Sequence, residues 1–122
     1  MPSVARTEAW KALAAHRREL ADLNMREMFA ADPGRFTNFS IGFEDILLDY
    51  SKNRVTAATM RLLFGLAAQA DLKHWTERMF AGERINVTED RPVLHVALRN
   101  RSNRPILVDG KDVTRAAHSL RA

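Results

Sequence analysis

Pro33 and Gly34 divide the first half of this sequence into two stretches whose apolar residues recur with different periods. Before them, Trp10, Leu13, Leu20, Leu23 and Met28 fall on one broad face of a 3.6-residue repeat, which predicts an amphipathic helix over 7–31. Thr7 is the candidate N-cap, and Glu8 suits the positive end of a helix. Pro33 ends the pattern because it has no N–H to donate, and Gly34 permits a turn. After them the period shortens. Phe36, Asn38 and Ser40 alternate with Thr37, Phe39 and Ile41, and "ILLDYS" supplies a second apolar run. This predicts strands over 37–43 and 46–51, joined by a tight turn at Glu44 and Asp45. A hairpin alone is marginal in water, so it must pack on helices or join a larger sheet.

The second half reads as helices. Thr56 caps a helix over 56–70, with Met60, Leu63, Ala67 and Ala70 in one stripe that Leu62 and Leu66 widen. Gly65 inside it suggests the close approach of another element. Asp71 is placed as cap of a helix over 71–81, whose buried face is expected to be Leu72, Trp75, Thr76, Met79 and Phe80. Gly82 suits the position just past its last turn. A further helix is expected over 88–99, with Thr88 as cap and Pro92 in its first turn; its apolar run, 93–98, is equally compatible with a buried strand. "ILVDGKDV" reads as a short strand and an Asp-Gly turn, and Thr114 as the cap of another helix. The fold class is therefore α+β, predominantly helical with a short β-hairpin.

A chain of 122 residues makes one ordinary domain, and 46% apolar with 28% charged residues is a globular balance. The net charge of +4 does not by itself indicate a polyanion partner. Arg17 and Arg18 are the only adjacent basic pair, and acids punctuate most windows, so no nucleic-acid partner is expected; a stand-alone basic helical interaction module that binds nucleic acid is the alternative reading. Without cysteine there is no disulfide, no thiol nucleophile and no Cys-type zinc site. The N-terminus lacks the apolar core of a signal peptide, and no stretch approaches the ~20 apolar residues that span a bilayer. The expectation is a cytoplasmic protein with no membrane partner.

No catalytic constellation emerges from the residues. His16, His74, His95 and His118 are not paired at metal-ligand spacing. His95, inside "VLHVAL", reads as a buried, backbone-bonded histidine more readily than as a catalyst; His74 is expected to face solvent. The acidic pairs Glu44/Asp45 and Glu89/Asp90 read as turn and first-turn residues. An acid–base site would require His95 with Glu89 or Asp90 in one pocket. None of the five glycines builds a phosphate loop, and Lys52 and Asn53 read as turn residues. Asn86-Val87-Thr88 matches a glycosylation triplet, which carries no weight without a signal peptide. Catalytic, cofactor-binding and metal-ligating residues are each assigned to none.

Several stretches together resemble the N-terminal region of the phosphoglucose isomerase family: "DPGRFTNFS" at 32–40, "LLDYSKN" at 47–53, "MFAGERINVTEDRPVLHVALRN" at 79–100 and "PILVDGKDV" at 105–113, with Trp10, Leu13 and His16 ahead of them. They keep the family's order and spacing over roughly residues 10–115. Asp90 and Pro92 depart from the Gly and Ala that family members commonly carry there. The resemblance implies part of a larger α-β-α sandwich (SIS-type) enzyme that interconverts glucose 6-phosphate and fructose 6-phosphate by proton transfer through a cis-enediol. It implies no metal or other cofactor, a homodimer, and the remainder of the enzyme chain as the partner of this segment. The family's sugar-phosphate loop, glutamate base, ring-opening histidine and late lysine belong to motifs that this sequence does not contain. The expectation is a scaffold segment ending ahead of the active site and inactive by itself.

Overall fold

The computed structural model describes residues 3–102 and 104–114. It divides the chain into two compact units, Met1–Ala70 and Asp71–Ala122, where the length predicts one domain. Each closes over a small core of its own.

In the first unit a 3-10 turn, Val4–Arg6, leads into α1, Glu8–Glu19. The Thr7 hydroxyl accepts the Trp10 N–H and caps this helix. The helix expected over 7–31 does not run through. Arg54 donates to the carbonyls of Leu20 and Ala21, which a continuous helix would use internally. Asn24 then caps a separate helix, α2, Met25–Ala31, by accepting the Arg26 N–H. After Pro33 and Gly34 the chain makes one more helical turn, α3, Arg35–Asn38. This replaces the beginning of the expected strand, because Asn38 and Phe39 donate back to the carbonyls of Gly34 and Arg35. The strands themselves are shorter than 37–43 and 46–51: β1 is Ser40–Phe43 and β2 is Ile46–Asp49. They pair antiparallel, with Phe43 opposite Ile46 across a two-residue turn whose Glu44 is left-handed, φ 50°.

The register puts Ile41 opposite Leu48 and Phe43 opposite Ile46, so all four share one face. That face is bare: Ile41 is 56% exposed, Leu48 57%, and Phe43 and Ile46 68% each. Helix α4, Ala57–Gln69, begins with a reciprocal Thr56–Thr59 capping box and packs against α1. Of its apolar stripe, Leu63 and the neighbouring Phe64 stay exposed. No atom lies within 4 Å of a Cβ built at Gly65, so the expected close approach is not made here.

The second unit opens with α5, Leu72–Phe80. Asp71 precedes it in a left-handed conformation, φ 54°, and its side chain makes no capping bond. The expected buried face is only half covered, since Leu72 and Phe80 are exposed while Trp75 and Met79 are partly buried. The helix ends in a Schellman arrangement, with Glu83 N–H to the Arg78 carbonyl and Gly82 N–H to the Met79 carbonyl.

The helix expected over 88–99 is mostly absent. Asn86 and Arg91 exchange both backbone hydrogen bonds, which folds residues 87–90 into a tight loop. Thr88 donates to the Asn86 side chain instead of capping a helix. Asp90 closes the loop at φ 49°, a conformation that glycine adopts without strain. Of the apolar run, His95–Leu98 forms one helical turn, α6. Then β3, Leu107–Val108, and β4, Lys111–Asp112, pair around Asp109 and Gly110, both at positive φ. Ala97 and Ile106 form the core, flanked by Leu94, Val96 and Val113. The helix expected after Thr114 lies outside the described residues. The architecture is α+β: short helices with two small antiparallel strand pairs.

Two glycines should respond oppositely to alanine. At Gly82 a Cβ would meet the Leu107 carbonyl oxygen at 2.7 Å, and φ is +79°. Gly82→Ala is expected to destabilise by about 1–3 kcal/mol. Gly65→Ala, in an open helix interior, is expected to stabilise by roughly 0.5–1 kcal/mol. Urea unfolding of the two variants checks both signs.

Candidate functional site

The most tightly built polar centre lies in the first unit, around a residue that stands out in neither pattern nor motif. Arg35 sits on α3 with 2% of its surface exposed. Its Nε donates to the Ser51 carbonyl at 2.7 Å, and Nη2 donates to the carbonyls of Asn53 at 2.7 Å and Val55 at 2.9 Å. The guanidinium also lies 4.7 Å from the centre of the Phe39 ring and 5.6 Å from that of Phe29. A buried charge is costly unless partnered. Here carbonyl dipoles and ring faces act as the counter-charge, and the fork gathers residues 51–55 immediately before α4.

Asp49 fixes the other end of that segment. Its Oδ1 accepts from the Ser51 N–H at 2.9 Å and the Ser51 hydroxyl at 2.6 Å, and its Oδ2 pairs with Lys52. The Lys52 hydrogen bond, followed by the two from Ser51, holds the carboxyl at about 2, against an ordinary 3.8. Ser51 is thereby buried with its donors used, and Tyr50 extends the hairpin through its N–H to the Phe39 carbonyl.

A third network joins α1 to α4. His16 Nδ1 lies 3.1 Å from the Glu19 carboxylate, and Nε2 lies 2.8 Å from the Thr59 hydroxyl. A carboxylate only accepts, so Nδ1 carries the proton in the neutral ring and Nε2 accepts from Thr59. The Thr59 oxygen in turn accepts the Thr56 N–H at 2.9 Å. The cap of α4 is thus tied through a histidine to a neighbouring helix.

The Arg35 donors end on backbone carbonyls, and no buried side-chain nitrogen or oxygen among the described residues lacks a partner. The residues weighed for catalysis are not brought together. His95 is exposed on α6 rather than buried, since that turn packs through Ala97. Glu89 is held by Asn86 and Arg91, and Asp90 by Arg84, so neither joins the cleft that His95 lines. Glu44 and Asp45 occupy the hairpin turn, His74 is exposed, and His118 lies outside the described residues. Among the described residues no group of three or more His, Asp or Glu side chains is placed to hold a metal, and no helix is long and apolar enough to cross a membrane. Arg35 and Thr59 were missed by the sequence reading. The usable signal was the polar pair Asp49–Ser51 bounding an apolar strand.

Similarity to known proteins agrees with the motifs. The family described as phosphoglucose isomerase matches residues 49–122. Over 113 residues the chain is 57% identical to the glucose-6-phosphate isomerase of Methylococcus capsulatus. The match takes in 93% of this chain and 21% of that relative, so the chain spans about a fifth of its relative's length.

Two expectations follow from the polar centres. Arg35→Met leaves the carbonyls of Ser51, Asn53 and Val55 without their donor and is expected to cost on the order of 3 kcal/mol in urea unfolding. Arg35→Lys should recover only part, because an ammonium lacks the planar fork; full recovery would show that charge alone suffices. For Asp49 the folded pKa is depressed, so its contribution is present above 3.8 and lost as pH falls toward about 2. The stability gap between the native chain and Asp49→Asn should therefore be constant near neutrality and close between pH 4 and pH 2.

Proposed function

The chain belongs to the phosphoglucose isomerase family, and on that premise we propose that it is a scaffold segment of a cytoplasmic glucose-6-phosphate isomerase. The enzyme interconverts glucose 6-phosphate and fructose 6-phosphate by general acid–base proton transfer, on an α-β-α sandwich that works as a homodimer. This segment supplies packing surface rather than catalytic groups.

The observation that carries the reading is the apolar hairpin face. Ile41, Phe43, Ile46 and Leu48 are in register on one side, and nothing in the first unit covers them. An exposed two-stranded apolar ribbon is unstable in water and invites pairing. A relative more than four times as long has the chain to cover it. The Arg35 clamp and the Asp49 turn then have a purpose: they set the angle at which the hairpin leaves the helices.

The test is a chimera in which residues 10–122 replace the matching segment of the Methylococcus capsulatus enzyme. It should fold and retain isomerase activity in a coupled assay, whereas the 122-residue chain alone should show none and should bind a hydrophobic dye. Phe43→Ser with Ile46→Ser should reduce dye binding by the short chain and destabilise the chimera. A folded but inactive chimera, or an active short chain, would overturn the scaffold assignment.

A further inference from the structure

The second unit holds a charge asymmetry that the scaffold role does not use. Half of the basic side chains among its described residues meet a carboxylate: Lys73 meets Glu77, Arg78 meets Glu83, Arg84 meets Asp90 and Asp109, and Arg91 meets Glu89. Arg99, Arg101 and Arg104 meet none among the described residues, and all three line one open cleft of about 720 Å³ with His95. No Asp or Glu lines it. The three arginines lie close together in the sequence, between 99 and 104.

The loop that presents these arginines is fastened from within. The Asn100 Oδ1 accepts from the Ser102 N–H at 3.0 Å and the Ser102 hydroxyl at 2.8 Å, and its Nδ2 donates to the Arg104 carbonyl at 2.6 Å. One side chain therefore ties both ends of the loop, and Arg99, Arg101 and Arg104 are exposed along it. Arg99 makes only a 3.5 Å contact, to the His95 carbonyl of its own helical turn. Below the basic rim the floor is apolar, including Phe80 and Ile106. Uncompensated guanidiniums around one concavity repel one another and attract anions, and their forks match phosphate oxygens in pairs. The cleft volume falls in the range of small-molecule sites.

We propose that this cleft binds a small phosphorylated molecule carrying several negative charges, its phosphates on Arg99, Arg101 and Arg104 and its body on the apolar floor. The inference stands on the second unit alone and does not depend on the isomerase reading.

The test is calorimetric titration of inorganic pyrophosphate into the 122-residue chain at fixed ionic strength. Saturable one-site binding is expected, weakened about tenfold or more in Arg101→Gln/Arg104→Gln, since charge-assisted bonds are lost. Arg17→Gln/Arg18→Gln, which removes equal charge from the first unit, should bind as the native chain does, and circular dichroism should show both variants folded. Inorganic phosphate, offering fewer oxygens, should bind more weakly than pyrophosphate. No saturable binding, or equal loss in both double variants, would overturn the site. So would tighter binding of a single-stranded oligonucleotide with steep salt dependence, which would make the cleft a polyanion surface.

Discussion

The first unit depends on one buried cation. Arg35 reaches from a single helical turn to three carbonyls of the segment that precedes α4, and Phe39 and Phe29 present their rings to the same guanidinium. Because residues 51–55 have no regular structure of their own, their backbone acceptors need donors from elsewhere. A single planar fork satisfies three of them at once and so fixes where the hairpin ends and where α4 starts. The Asp49–Ser51 turn works on the same segment from the other side.

Polar bonds position these elements more than apolar burial does. Met28 and Phe39 are the buried apolar residues of the first unit, and Ala97 and Ile106 those of the second. Phe43, Ile46, Leu47 and Phe64 lie in the open. In a chain that is 46% apolar, so small a buried core among the described residues leaves caps, turns and the arginine fork to position the elements.

Where the sequence reading went astray, a competing bond, distant or local, or the shortness of an element decided the outcome. The period around Leu20 and Leu23 continues a helix, but Arg54, more than thirty residues away, takes the carbonyls that the helix would need. The run from Thr88 to Leu98 has a cap, acids and apolar residues in helical order, yet the Asn86–Arg91 pair folds its first half into a loop. Asp71 occupies the cap position without making the cap bond. His95 falls in an apolar run and is exposed, because a single helical turn buries only Ala97.

What the sequence determined by itself was local or shared with relatives. Thr7 and Thr56 act within three residues of themselves, Gly82 answers the need for positive φ, and Asp109-Gly110 makes its turn from its own dihedrals. The family was legible because "LLDYSKN" and the run from Met79 to Asn100 are specific strings, whatever structure they adopt. Only the tertiary structure decided that Arg35 is buried and that His16 reads the cap of α4. These facts pair residues through space, and periodicity records only what each residue does to its near neighbours along the chain.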